Sequence, residues 1–422
     1  MSEAAYDLHT QESASFATAG EALAPRINIE TFCTSPEFAE ACQAAAIDRR
    51  MAKTNVRVEM GGADAAAKRF ASVATPHLIV VESAEGGFNM FGELEALAAV
   101  CDEDTKVIVA GPSNDVTIYR ELLRQGVSEY LVTPCSAVQL IDAVTTIFGD
   151  PEQAPTAKVI SVFGVKGGVG SSILAHNLSW AMSVFSERET LLVDMDVEFG
   201  TAALDFNVEA KHSVVDALSD LDGLDEMKLA RLIYSQSDNL KLLPAPAAVH
   251  TKVEASEDGV LTLLDTVRVA CDTAVLDLPH CWTPGIRTAM LQSNEIVLVA
   301  TPDLASLRNL KTAYDYLTNE RRNDAPPKIV LNQTGVPKRP EIPARDFADI
   351  VGAPLDLEIP FDAALFGAAL NNGQMLAEVQ KKHKIIDMVD DFSKRLLGMK
   401  AASAPKSSAF DLKSIIGSLG KS

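Results

Sequence analysis

The chain has 422 residues, 47% hydrophobic and 23% charged, room for two or three domains with real cores. Acidic residues outnumber Lys and Arg by 58 to 37, a formal charge of −21, which repels phosphate backbones and argues against broad nucleic-acid binding. Collagen, a disulfide miniprotein and a chain disordered throughout are excluded on composition.

Residues 1–26 are rich in Ala, Ser, Thr and Glu with no apolar period, so a disordered tail is expected there. They lack the basic start and apolar stretch of a signal peptide, and no apolar run in the chain approaches the ~20 residues of a membrane span. From residue 27 to 149, apolar runs (INIETFC, VRVEM, HLIVVES, KVIVAG, EYLVT) alternate with helical stretches such as SPEFAEACQAAAIDRRM. That alternation predicts a parallel sheet flanked by helices. A Pro-containing linker is expected at 150–158. Residues 159–400 carry a second α/β series, with strands at VISVFGV, TLLVDMD, NLKLLPAP, TAVLDLP, EIVLVATP and KIVLNQ. In the tail 401–422, Leu412, Ile415, Ile416 and Leu419 share one helical face, a candidate for docking a partner or, weakly, a membrane surface. The six cysteines show no CxxC spacing and read as small buried residues of a reducing compartment, so a cytoplasmic location is expected.

The chemistry begins after the linker. In SVFGVKGGVGSS, Gly167, Gly168, Val169 and Gly170 form a turn between a β run and a helix, where backbone N–H groups and the helix N-terminus make an anion nest. Ser172 stands where a hydroxyl would bind Mg²⁺. The lysine that normally precedes it, which reaches the β- and γ-phosphates, is replaced by Ser171, while Lys166 heads the glycines. Exchanging a cation for a hydroxyl forfeits about 1.5–3 kcal/mol, a ten- to hundredfold weaker grip on the nucleotide.

KGGVG after a strand resembles the deviant Walker A loop of the MinD/ParA family. The resemblance implies an ATP- and Mg²⁺-binding domain in which Lys166 crosses a homodimer to the partner's phosphates. It further implies that Asp194 and Asp196, in LLVDMD, position the attacking water and the metal shell, with Gly200 and Asp205 continuing the pattern. Asp277, in VLDLP, takes the Walker B place and orders Mg²⁺ through water. Asn332, Gln333 and Pro360, in VLNQ and IPFD, fall in the segments that flank the base.

A narrower resemblance is carried by KGGVGSSILAHNLSW, LDLPHCWTP, ATPDLASLRN, LNQTGVPKRPEIP and IPFDAALFGAALNNGQM, which resemble the CpaE/TadZ proteins of Flp-type pilus assembly. This implies an atypical receiver-like, flavodoxin-like unit followed by a MinD/ParA-like P-loop unit. Its expected role is a nucleotide-dependent switch with slow hydrolysis, placing the pilus secretion machinery, commonly at a cell pole. The receiver chemistry has gone: Glu30 is the one acid in the first strand run, Glu82 stands at the phosphoacceptor place, and Thr133 replaces the lysine before Pro134. Glu82 is expected to be a solvated strand-end residue. His280 and Trp282, just past Asp277, are candidates to relay nucleotide state, with plain packing as the alternative. Two rival classes remain: a ParA-type partition ATPase acting on DNA, and a response regulator with a P-loop output domain. The seven histidines show no metal-ligand spacing.

Overall fold

Continuous runs of Val, Ile and Leu bounded by turn residues build strands that are buried on both faces, as parallel sheets require. The structure, a computed structural model, describes residues 22–87, 89–149, 157–221, 223–246 and 255–399. The expected amphipathic segment in the C-terminal tail, most of the N-terminal tail and most of the linker lie outside these residues. The chain forms two compact units, one up to residue 155 together with Arg321–Asp324, the other from 156 onward.

The first unit holds β1 (Asn28–Cys33), β2 (Asn55–Met60), β3 (Leu78–Glu82), β4 (Lys106–Gly111) and β5 (Glu129–Val132). Their order is β2-β1-β3-β4-β5 with every pairing parallel, the flavodoxin-like winding. Alternation in β3 sends Leu78 and Val80 into one core with Ile29 and Ile108, and Ile79 and Val81 into another with Phe32 and Val109. Ser35 caps the helix Pro36–Ala46, accepting from the Phe38 N–H, with Pro36 preset for the first turn. The ordered unit starts earlier than Ile27: Ala24 is buried in the first of those cores and its N–H donates to the Arg50 carbonyl at 2.8 Å. A side chain this small fits where the polar composition of the surrounding stretch gives no hint of burial.

The second unit holds β6 (Lys158–Gly164), β7 (Thr190–Asp194), β8 (Tyr234–Ser235), β9 (Leu240–Leu243), β10 (Thr273–Leu278), β11 (Glu295–Ala300), β12 (Lys328–Thr334) and β13 (Leu357–Pro360). Their order is β13-β12-β11-β6-β10-β7-β9-β8, and only β8 runs antiparallel to its neighbour. The expected linker overruns this sheet: Lys158 already belongs to β6, and Ala157 is buried with its N–H on the Arg268 carbonyl. Parallel strands place β6, β7, β10, β11 and β12 with their carboxyl ends on one edge, where α/β sheets bind ligands.

Candidate nucleotide site

At that edge β6 ends in Gly164 and the chain turns through Lys166–Gly170 into the helix Ser171–Val184. Gly168 (φ +79°) and Gly170 (φ +84°) take the left-handed backbone that lets the loop curl. A Cβ at Gly170 would lie 2.6 Å from Asn332 Nδ2. No side chain caps the helix that follows, so its leading N–H groups stay available to an anion. Ser171 and Ser172 open the helix; a Cβ on Gly164 would lie 2.6 Å from Ser171 Oγ, so that side chain folds back over the strand end.

Asn332 and Gln333, expected beside the base, hold the loop itself: Asn332 Nδ2 donates to Val169 O (2.8 Å) and Gln333 Nε2 to Gly168 O (3.0 Å). Pro360 pairs in register with Thr334 at the end of β13 and is exposed. Lys166 forms an ion pair with Asp303, Nζ to Oδ2 2.7 Å, with both side chains partly exposed. Asp303 also accepts from Thr301 Oγ1, Ser306 Oγ and the Ser306 N–H. Burial alone would raise its pKa, but the hydrogen bonds from Lys166, Thr301 and Ser306 hold the carboxyl well below the usual carboxylate range.

Behind the loop sit the acids. Asp277 on β10 is in register with Asp194 on β7, which brings both to one level of the sheet. Asp194 is fully buried; its Oδ1 accepts from the Asp196 N–H and its Oδ2 from the Ala202 N–H, both at 3.1 Å. Gly200 must be glycine here, because a Cβ would stand 2.4 Å from Asp194 Oδ2. Asp196 accepts from the Phe199 N–H and is only partly buried. Burial, then the charge of Asp277, raises the Asp194 pKa, and burial does the same for Asp196.

His176, which sequence reasoning passed over, completes the cluster. Its ring is fully buried, with Nδ1 2.8 Å from Asp205 Oδ2 and Nε2 3.3 Å from Asp277 Oδ2. Burial opposes its charge, but Asp205 and Asp277 outweigh that and push its pKa up to about 10. One ligand atom each from His176, Asp194 and Asp277 fall within 4.8 Å of one another. His176 stands four residues after Ser172, on the same helical face, a spacing that could have singled it out. Both oxygens of Asp277 and Nε2 of His176 are buried without a hydrogen-bond partner among the described residues. An orphaned carboxylate and an uncapped helix start fit Mg²⁺ and its waters, which Ser172 would hold directly and Asp277 through water.

His280 and Trp282 flank the same strand end. His280 Nδ1 lies 2.8 Å from Gly164 O, and Trp282 packs edge-on against Phe163 and Tyr316.

Comparison with known proteins separates the two units. Residues 157–326 match the AAA domain family AAA_31. MinD of Bacillus subtilis (strain 168) is 24% identical over 177 residues, 42% of this chain and 65% of that protein. A ParA family ATPase from Chlorobium tepidum TLS superposes with a TM-score of 0.52 at 23% identity, covering 56% of this chain and 98% of that one, which establishes the fold. The N-terminal part matches the pilus assembly protein CpaE from Caulobacter crescentus CB15 at 43% identity, over 31% of this chain and 98% of that chain, with a TM-score of 0.30. The chain belongs to the CpaE family. The second unit is a MinD/ParA-like P-loop unit.

In this CpaE-family chain the receiver-like site departs from expectation. Glu82, at the end of β3, is buried rather than solvated. Its carboxylate accepts from the Thr34 N–H (2.6 Å), the Ser35 N–H (2.7 Å) and Ser35 Oγ (2.6 Å). These donors sit directly after β1, where a phosphorylated receiver keeps acids for its metal. A pocket of donors attracts the carboxylate and repels a cation, so the polarity of the site is inverted. Tyr130 closes the neighbouring space: a Cβ on Gly111 would lie 2.9 Å from its hydroxyl, which accepts from the Ser113 N–H.

Proposed function

We propose that this protein is an ATP-binding, dimerising localisation and assembly factor for Flp-type pilus biogenesis, built from an inert receiver-like module at 27–149 and a P-loop module at 159–400. The observation that carries the nucleotide reading is the uncapped helix start after Gly170 together with the orphaned, buried carboxylate of Asp277, which lies 3.3 Å from His176 of the same helix. The pilus role is supported by the 43% identity to CpaE. The formal charge of −21 weighs against a partition ATPase riding on DNA. Glu82, whose oxygens already accept three hydrogen bonds, weighs against a phosphorylated response regulator.

Bound Mg²⁺ would neutralise charge on the phosphate oxygens. The chain's own part is to cradle the triphosphate with the N–H groups of Gly167–Ser172, to order the metal's water shell with Ser172 and Asp277, and to orient water with Asp194 and Asp196. Phosphoryl transfer is catalysed by positioning and charge cancellation, so a loop without its local cation turns over slowly. Lys166 from a second copy restores that charge in the dimer. The cycle yields location and assembly, acting with pilus machinery proteins on the cytoplasmic side. Among the described residues no helix is long and apolar enough to cross a membrane. Recruitment to a pole or membrane face through partners is part of this reading.

Sizing the full chain with and without Mg-ATP, beside calorimetry and turnover, tests this. The mass should double with Mg-ATP in the natural protein and stay single in Lys166→Ala. Ser171→Lys should bind ATP about ten- to hundredfold more tightly. Brisk hydrolysis untouched by Lys166→Ala, or no heat and no change in mass at millimolar Mg-ATP, sinks the reading.

A further inference from the structure

In the P-loop unit a buried carboxylate normally keeps its place through hydrogen bonds from the backbone, as Asp194 does from Asp196 and Ala202. Asp277 has none: among the described residues no donor satisfies either oxygen, and its ion-pair partner is the Nε2 of His176 at 3.3 Å. The ring that makes this contact is itself fixed from the other side. Its Nδ1 lies 2.8 Å from Asp205 Oδ2, and the same oxygen accepts from Thr201 Oγ1 at 3.1 Å. Asp205 closes the short helix Ala202–Asp205, whose first N–H donates to Asp194. A single run of contacts, Thr201 to Asp205 to His176 to Asp277, therefore ties the turn after β7 to the end of β10. An imidazole clamped between two carboxylates has a set ring orientation, which is how outer partners orient groups that serve a metal.

We propose that His176 is a positioning residue for the Mg²⁺–nucleotide complex, holding the Asp277 carboxylate in place, with Asp205 as the group that orients the ring. The proposal rests on the reading that this site binds ATP with Mg²⁺. It assigns to the helix after the phosphate loop a second task besides anion binding. Ser172 serves the cation directly, and His176, one turn later, serves it through Asp277.

The test is the Mg²⁺ requirement for ATP binding, measured by titrating MgCl₂ into the full chain with ATP and comparing with ATP binding in EDTA. His176→Leu should raise the Mg²⁺ needed by about 10- to 100-fold, while affinity in EDTA stays within about twofold. Asp205→Asn should shift the Mg²⁺ requirement in the same direction by less, and should add nothing on top of His176→Leu. His176→Gln, which keeps a hydrogen-bonding group, should recover part of the loss. An unchanged Mg²⁺ requirement in folded His176→Leu overturns the proposal, as does full additivity with Asp205→Asn. Should His176→Leu fail to fold, Asp205→Asn decides alone, and no shift there is equally fatal. Zinc or manganese retained by the nucleotide-free natural protein and lost in His176→Leu would make the ring a metal ligand instead, and also overturns it. A natural protein that takes no ATP in either condition refutes the underlying nucleotide reading, a result distinct from all of these.

Discussion

Glu82 and Asp277 occupy equivalent places in two separate sheets, each a buried carboxylate near the carboxyl end of a parallel strand that lies inside its sheet. Their surroundings are opposite. Glu82 accepts three hydrogen bonds from Thr34 and Ser35, and through Ser35 it also braces the cap of the helix Pro36–Ala46. Asp277 accepts none, and shares its buried space with Asp194, Asp205 and a single imidazole. A satisfied carboxylate stabilises the fold and has no capacity left for a ligand. An unsatisfied one costs stability in the empty protein and recovers it when something binds. The pair therefore separates a site that has become structure from a site kept for chemistry, without appeal to which residues a motif prescribes.

The sharpest way to break that comparison is to remove each carboxylate and read both stability and binding. Glu82→Ala strands the Thr34 and Ser35 N–H groups and should lower unfolding free energy by about 3 kcal/mol, with no effect on ATP affinity. Asp277→Asn should do the reverse. It takes one ion-pair partner from His176 but also relieves the repulsion between Asp277 and Asp194, so the empty protein should lose less stability than in Glu82→Ala, about 1 kcal/mol or less. Mg²⁺-dependent ATP binding should meanwhile fall by about a hundredfold or more, a loss of roughly 2.7 kcal/mol. Chemical denaturation and calorimetry on the same samples check both halves. If Glu82→Ala is neutral and Asp277→Asn is strongly destabilising, the distinction between the two sites is wrong.

The same contrast marks where sequence reasoning succeeds. Strand runs such as HLIVV and TAVLDL are legible because burial on both faces demands unbroken apolar residues, and the glycine loop because few other functions place Gly168 and Gly170 between a strand and a helix. Glu82 was legible as a substitution but misread as solvated. Its donors come from Thr34 and Ser35, 48 and 47 residues away, and nothing local in VVESAEGG announces them. His176 sits inside ILAHNLSW, where an apolar frame makes a histidine read as core. Only the register of β7 against β10 brings Asp194 and Asp277 to one level, and only the turn after β7 delivers Asp205 to the ring. Asp303 carries no visible role within ATPDLASLRN, since its ion pair with Lys166 spans 137 residues.

That ion pair sharpens the comparison by adding a charge that is satisfied in the single chain and that the proposed dimer would have to release. In the single chain Lys166 is bound to its own Asp303, so reaching a partner's phosphates requires breaking a 2.7 Å contact. Asp303→Asn removes the competing charge and should lower the ATP concentration for dimerisation by about three- to tenfold, the scale of a partly exposed ion pair. Light scattering across an ATP titration measures it. A midpoint that rises would mean that Asp303 works in the dimer interface rather than against it.

The smallest effect concerns protons. Because the folded pKa of Asp303 is depressed, its contribution to stability is complete above the unfolded value of about 3.9 and is lost only as pH falls through the folded value. Most other exposed carboxylates titrate within that same acid range, so the global unfolding curve will hide it. The carboxyl-carbon resonance of Asp303 isolates it: in the natural protein it should stay ionised to lower pH than an ordinary aspartate does. In Lys166→Ala the strongest of the contacts that lower it is gone while those from Thr301 and Ser306 remain. The resonance should then move towards the ordinary range without reaching it. A full return would show that the lysine alone sets the charge at this position. No movement would show that Thr301 and Ser306 do, and that Lys166 is already free to leave.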